Sequence, residues 1–421
     1  MNDKFLKPYD AQSVETDIYD MWEKSGYFNP DNMIADGHTA PDAEAFSIVL
    51  PPPNVTGTLH TGHASMLAIE DIMVRFQRMQ GKKTLWIPGT DHAAIATQSK
   101  VEKILSKEKI RKHDLGREEF LKRVHEFAQN SHDTIVSQSK KMGASLDWSR
   151  EAYTLDKPRE KAVYTAFERM YKDGLVYQKE RIVNWDPKGQ TTISDDEVVR
   201  VERPGKMYTF KYSHDFPFPI ATTRPETKLG DTAVAVHPDD ARYQGYIGKE
   251  YSFEFAGEPV TVKIIADEHV DPEFGVGALG VTPAHSVADW DIAERHNLPL
   301  KQVINEYGKM MIGMEGVKGL KVEPARAAVV DWLKSEGLME NEEDITQSIG
   351  TAERTGAIVE PLPKLQWWIN VNHKFTIPES NIEGIESGSQ ITLKEMMLQS
   401  VRSNQINILP ERFEKVYFHW I

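Results

Sequence analysis

Between Phe46 and Pro88 the apolar positions change period twice. Phe46-Ser47-Ile48-Val49-Leu50 is a short apolar run that stops at prolines, the pattern of a buried parallel strand. From Gly62 to Gln80, residues Met66, Leu67, Ile69, Ile72, Met73, Phe76 and Met79 recur at helical spacing, and Gly81 follows as a stop. Thr84-Leu85-Trp86-Ile87-Pro88 returns to strand character. Strand, helix, strand in that order is the βαβ unit of a doubly wound sheet, so the fold class is α/β. Helical patterning resumes from Arg117 to Met142. A further helix is predicted after Asp156-Lys157-Pro158, with Val163, Phe167, Met170 and Tyr171 on one face and Gly174 at its end.

Near Asp195 the texture changes to short strand-like pieces broken by Gly, Pro and Asp: Met207 to Tyr212, Ala233 to Val236, and Val260 to Ala266. A helix is expected from Pro324 to Gly337, strand character from Gly356 to Trp368, and a polar loop from Ile377 to Gln390. No internal repeat or long low-complexity segment interrupts this order. The pattern implies an α/β part over 1–195, a β-rich insertion over 196–348, and a return to the first part over 349–421.

Composition narrows the class. A chain of 421 residues exceeds one core, so two to three domains are expected. No apolar run approaches membrane-spanning length, and Met1-Asn2-Asp3-Lys4-Phe5 lacks the pattern of a secretory leader. Cysteine is absent, which excludes disulfides and thiolate metal sites and suits a cytoplasmic location. A net charge of −14 argues against a broad nucleic-acid-binding face while leaving room for local basic patches.

The chemistry concentrates in Pro51-Pro52-Pro53-Asn54-Val55-Thr56-Gly57-Thr58-Leu59-His60-Thr61-Gly62-His63-Ala64. A bare His-x-x-His is most often two histidines in a turn. After a strand, behind a rigid triple proline and at a helix start, the same residues can donate hydrogen bonds to phosphate oxygens. Thr58, His60, Gly62 and His63 are the candidates for a triphosphate, the glycine admitting close backbone approach.

This stretch resembles the signature of the class I aminoacyl-tRNA synthetases, His-x-Gly-His, in the form carried by the family's valyl branch. Matches in the family's order continue through Gly89-Thr90-Asp91-His92-Ala93-Ala94-Ile95-Ala96-Thr97-Gln98, Gly143 to Arg150, Val183 to Lys188, Ala221-Thr222-Thr223-Arg224-Pro225-Glu226-Thr227, Thr282-Pro283-Ala284-His285 and Val359 to Pro363. The resemblance implies an incomplete Rossmann-like doubly wound parallel sheet with an inserted editing domain. It implies ATP-dependent activation of valine and transfer to tRNA(Val), with Mg²⁺ arriving on ATP and no protein metal site. His60 and His63 would stabilise the phosphate transition state. Asp91 would hold the ammonium group of valine; its structural alternative is an N-cap. Pro52 and Asn54 would wall the amino-acid pocket or simply stiffen the loop.

A pocket for valine rejects threonine poorly; the valine enzyme against threonine is the standard instance of this limit, at about a hundredfold. A hydrolytic site for mischarged tRNA is therefore implied in the insertion, with Thr222, Thr223, Arg224, Glu226, Phe274, Thr282, His285 and Asp289 as candidates. Arg224 and Phe274 would clasp the terminal adenosine. Asp289 would hold the substrate ammonium or serve as a helix-start carboxylate, and His285 would be a core residue or would position water. Three departures stand out. Ala94 replaces the family's Gly, Gly280 replaces its Lys, and Ser286-Val287 replaces its Asp-Pro. A cation and an anion are lost together, so the site is expected to persist with altered rate or selectivity.

No Lys-Met-Ser-Lys-Ser run occurs, and the chain covers about half of the family's length. The expectation is weak or absent valine activation by this chain alone, with an uncovered apolar sheet face and a second chain as one source of the missing half. The alternatives are a standalone tRNA-deacylating hydrolase and a non-catalytic tRNA- or partner-binding fragment.

Overall fold

The computed structural model describes residues 8–421, so the Met1–Phe5 start lies outside the described residues. The chain divides into two compact units, one ending at Lys172 and the other spanning Asp173–Ile421. Helices and sheets are mixed throughout, an α/β chain.

In the first unit, Ala45–Ile48 and Lys83–Trp86 pair in parallel, Ala45 opposite Lys83 and Ile48 opposite Trp86, and the helix Thr61–Met79 connects them. Leu67 and Val74 of that helix pack with Trp86, Ala144 and Leu146, each burial stabilising by about 2 kcal/mol. Strand alternation turns Phe46, Ile48 and Leu50 toward this core. Val49, on the opposite side, is 83% exposed. The helix buries only the line Leu67, Glu70 and Val74. Ile69, Ile72, Met73, Phe76 and Met79, part of the predicted apolar pattern, are exposed. That pattern therefore spans more than the face that packs. Gly89–Thr90 then pairs in parallel with Ala152–Tyr153. The helices Ala94–Lys107 and Lys112–Lys141 meet through Val101, Leu105 and Phe120. The second is interrupted at Gly116, whose backbone is not helical at φ 74°, and its continuous part starts at the predicted Arg117. Lys157–Lys172 forms the helix expected after Asp156.

In the second unit, Ala233–Val236 is buried on both faces. Val234 and Val236 meet Phe255, Val262 and Ile264, while Ala233 and Ala235 meet Val281 and Ile292. This strand lies between Glu258–Ala266, which is parallel to it, and Ala278–Val281, which is antiparallel. Glu250–Phe255 completes the four-stranded sheet. The helix Val322–Ser335 adds Ala325, Val329 and Leu333 to the same core.

Two of the strands here are long rather than short. Val198–Phe210 pairs antiparallel with Met339–Ala352 straight through Pro204, which faces Thr346. Only Tyr208 to Phe210 gain a second partner strand, Ile220–Thr222. Pro204 thus stands at an open edge, where proline is tolerated. Likewise Glu360–Ile369, with Pro361 and Pro363, is the outer strand against Val176–Asp186. That partner strand was not anticipated from the apolar pattern. Ile377 to Ser389 carries neither helix nor strand.

Asp267 follows directly on the strand Glu258–Ala266. Its buried carboxylate accepts from Arg295 Nε and Nη2 at 3.1 and 2.9 Å and from His296 Nε2 at 3.0 Å. Burial works to raise its pKa, but the His269 amide, Arg295 and His296 hold it down to about 2. A folded-state pKa below the unfolded value contributes stability that is full above about pH 4 and is lost as pH falls through about 2. Asp267→Asn is expected to cost about 2 kcal/mol at neutral pH. The deficit should vanish in urea titrations at pH 2.

Candidate functional site

The first candidate site lies in the first unit, where an isolated bridge forms beyond the two strands, one residue out of their register. Asn54 bridges to Asp91 in parallel. Val55 N donates to Asp91 O at 2.8 Å, and Asp91 N donates to Pro53 O at 2.9 Å. Pro53 and Val55 are buried, while Pro52, Asn54 and Thr58 are exposed. Leu59 N donates to Gln138 Oε1 at 2.8 Å, fixing the loop just before the histidines.

His60 is the N-cap of the helix Thr61–Met79. Its Nδ1 accepts from Gly62 N at 3.1 Å, and His63 Nδ1 accepts from His60 N at 3.2 Å. The rings lie 3.8 Å apart, centroid to centroid. With both Nδ1 atoms accepting, the proton of each ring sits on Nε2. The pair therefore offers two N–H donors at a helix start, where backbone amides and the dipole also favour an anion. Burial and the neighbouring His60 lower the pKa of His63. Gly62 is needed for close approach, since a Cβ there would sit 2.9 Å from His60 Cε1.

Asp91 does not cap its helix in the expected way. The N-cap of Ala94–Lys107 is Ala93, in left-handed conformation at φ 45°. Asp91 Oδ1 accepts from Ala93 N at 2.9 Å and from Thr154 Oγ1 at 3.0 Å. Thr154 Oγ1 also meets His92 N at 2.9 Å and His92 Nδ1 at 2.6 Å. One carboxylate oxygen is thus anchored, and Oδ2 has no hydrogen-bond partner among the described residues. Ala94 itself is the first helical residue and is not left-handed, so replacing glycine there adds no backbone strain. A cavity of about 420 Å³ opens beside this region, lined by Pro52, Val49, Ile87, Tyr153 and Thr154 but not by Asn54 or Asp91.

The second candidate site lies in the second unit, around a cavity of about 770 Å³. Of the predicted residues, Thr223 and Arg224 line it. Arg224 Nη2 donates to Glu360 at 2.8 Å and its Nε to Glu226 at 3.2 Å. Glu226 also accepts from Arg326 Nε and Nη2, both at 2.9 Å. Burial works to raise the pKa of Glu226, but Arg326 and Arg224 hold it below the ordinary value. The result is a row of alternating charge, Glu360–Arg224–Glu226–Arg326, that presents Arg224 to the cavity in one orientation. Thr222 Oγ1 accepts from Arg224 N at 3.1 Å.

Thr282, His285 and Asp289 are buried and do not line this cavity. Thr282 N donates to Asp289 Oδ2 at 2.8 Å. Asp289 sits in the first turn of the helix Val287–His296, which Ser286 caps. His285 Nε2 accepts from Val303 N at 2.8 Å and Ile304 N at 3.2 Å, while Nδ1 faces Pro361 O at 3.3 Å. Burial, then the Arg224 charge, pushes its pKa down to about 3. Both ring nitrogens are engaged by backbone, which leaves neither for a water. Phe274 is 65% exposed and stands outside the cavity lining.

Residues 17–421 match the family model of the tRNA synthetases class I (I, L, M and V). The chain belongs to the class I tRNA synthetases. It is 43% identical over 417 residues to the valine–tRNA ligase of Carboxydothermus hydrogenoformans, covering 98% of this chain and 44% of that protein. It is 40% identical over 422 residues to that of Clostridium acetobutylicum, covering 100% and 45%. For the Staphylococcus carnosus protein the figures are 42% over 420 residues, 99% and 45%. The chain thus spans less than half the length of these relatives. Among solved structures, the Agrobacterium radiobacter K84 agnB2 LeuRS in complex with tRNA and LeuAMS gives a TM-score of 0.38 at 17% identity, covering 83% of this chain and 49% of that chain. That likeness is too weak to bear on the fold.

In this class I synthetase chain the sequence pattern missed three partners. Thr154 and Arg326 carry no local signal, because what they bind is distant in sequence. Glu360 stands in the matched Val-Glu-Pro-Leu-Pro run, where a lone carboxylate among apolar residues is itself a hint. The capping geometry yields a test. His60→Ala removes an N-cap acceptor and is expected to cost about 1 kcal/mol. His60→Asn, which keeps an acceptor near the Nδ1 position, should recover most of it in melting experiments.

Proposed function

We propose that this chain carries one part of a valine-activating ATP site and a hydrolytic site for threonine mischarged on tRNA(Val). In this reading an incomplete Rossmann-like sheet holds the first site and the inserted β-rich domain holds the second. The observation that carries the first assignment is the backbone pairing of Asn54 with Asp91, which sets the histidine loop beside the aspartate. The relatives named valine–tRNA ligase support the choice of amino acid.

The residues fit the substrates. The Nε2–H groups of His60 and His63 would donate to ATP phosphate oxygens as charge builds during attack by the valine carboxylate. Mg²⁺ would neutralise the phosphates when bound with ATP. Asp91 would pair its Oδ2 with the valine ammonium while Thr154 and the Ala93 amide hold Oδ1. In the second site Arg224, fixed between Glu360 and Glu226, would donate to the tRNA terminus at the cavity. Thr223 and Thr222 flank it, while Asp289 is buried outside the cavity lining with its Oδ2 taken by the Thr282 amide.

A standalone deacylase is the second reading. The cavity and Arg224 lie within one compact unit, Asp173–Ile421, with its own extensive core.

Two assays separate these. Valine-dependent ATP–pyrophosphate exchange by this chain is expected to run about a hundredfold or more below a full-length valine–tRNA ligase, because a half-built site forfeits most of its positioning. Normal turnover would overturn that. Hydrolysis of threonyl-tRNA(Val) is expected to be measurable, and Arg224→Ala should slow it about tenfold, the worth of one charge-assisted hydrogen bond. Absence of hydrolysis by the unmodified chain would refute the deacylation reading.

A further inference from the structure

Lys228 has no part in the roles above, yet it is 4% exposed in the middle of the second unit. Its Nζ donates to Gly280 O at 2.6 Å, Thr282 Oγ1 at 2.8 Å and Asp231 Oδ1 at 3.1 Å. An ammonium has three donors, and here each has an acceptor. Asp231, 2% exposed, also accepts from the hydroxyls of Tyr212 and Thr282. A buried charge persists only when paired and hydrogen-bonded in this way.

Position 280 looks at the same carboxylate. A Cβ built on Gly280 lands against Asp231 Oδ2, 2.5 Å from Tyr212 Oη and 3.1 Å from Ile220 Cδ1. A side chain at 280 is therefore aimed at the carboxylate that Lys228 neutralises. A lysine at 280, where the resembling family carries one, would converge on the carboxylate that Lys228 already meets, with Asp231 and Tyr212 shifting to admit its Cβ.

We propose that Lys228 is a positioning residue of the deacylation site, supplying from the Pro225–Gly230 turn the cation that the resembling family brings from position 280. The inference rests on the deacylation reading. What Lys228 positions is Thr282, whose hydroxyl lies between Lys228 and Asp231 and whose amide donates to Asp289 Oδ2 at 2.8 Å. The row Lys228–Thr282–Asp289 thus runs from the buried pair to the start of the helix Val287–His296. The cation expected to be missing at Gly280 is present in space. The change at Ser286 remains a loss.

The test uses the full chain and four proteins: the unmodified chain, Lys228→Met, Lys228→Met/Gly280→Lys and Lys228→Met/Asp231→Asn. Melting temperature and the kcat and KM of threonyl-tRNA(Val) hydrolysis are read for each. Lys228→Met should melt lower and lose about tenfold or more in kcat, with KM little changed. Lys228→Met/Gly280→Lys should recover part of both, with the Asp231 carboxylate and Tyr212 hydroxyl shifting to admit the new Cβ. Lys228→Met/Asp231→Asn should recover the melting temperature but leave kcat low. Failure of the Gly280→Lys double variant to regain stability, or to fold, overturns the exchange of cations. Recovery of kcat by the Asp231→Asn double variant overturns the positioning role. An unmodified chain without hydrolysis defeats the deacylation reading, while the melting arm still decides the exchange.

Discussion

Two backbone hydrogen bonds, Val55 N to Asp91 O and Asp91 N to Pro53 O, hold the first candidate site together. They re-form parallel pairing one residue out of the register set by Ala45 opposite Lys83, past prolines that cannot themselves donate. Register is the constraint that matters. A slip of one residue would turn Phe46 and Ile48 out of the core and Ser47 into it. The same slip would carry the histidine loop out of step with Asp91. Packing of Trp86 against Leu67 and Val74 therefore fixes the chemistry as well as the fold. With the strand end fixed, the helix can start only where His60 caps it, and the cap in turn fixes which nitrogen of each ring points away from the backbone.

The second unit uses charge differently. Its buried ionic groups come in rows in which each cation meets more than one acceptor: Glu360–Arg224–Glu226–Arg326, and Lys228 with Asp231, Gly280 O and Thr282. Such rows add little net stability over well-packed apolar residues, and breaking one partner is costly. Their effect is to leave a single arrangement. Arg224, 26% exposed at its side chain, is held by its guanidinium on two sides while lining the cavity. A floppy arginine at the same place would lose entropy on binding that this one has already lost in folding.

Local pattern carried the elements whose partners are close in sequence. The strand–helix–strand unit, the Ala233–Val236 strand and the Lys157–Lys172 helix were legible because apolar period and turn residues agree there. Pattern failed where tertiary context overrode it. Pro204 reads as a break, and an open edge makes it harmless. The apolar residues of Thr61–Met79 read as one face, and only the Leu67–Val74 line is buried. Among site residues, the His60–His63 pair and Asp91 were visible through motif and spacing. Thr154 and Arg326 were not, since their pairing is made by folding and leaves no trace in either neighbourhood.

Gly280 shows the limit of carrying a residue over by position. Along the sequence it reads as a lost cation. Adjacent strands and turns lie about 5 Å apart, and a lysine's four-carbon stem reaches farther than that. An ammonium can therefore reach one carboxylate from more than one place in the chain. Burial of Asp231 constrains the location of positive charge but not which residue delivers it, provided that the other position is small. Gly280 meets that condition, because any Cβ there would press on Asp231 and Tyr212. The exchange has no counterpart at Ser286, whose hydroxyl already caps the helix Val287–His296 by accepting from Asp289 N at 3.3 Å. The chemistry of a buried site is thus better sought in the set of atoms around each charge than in single positions of the chain.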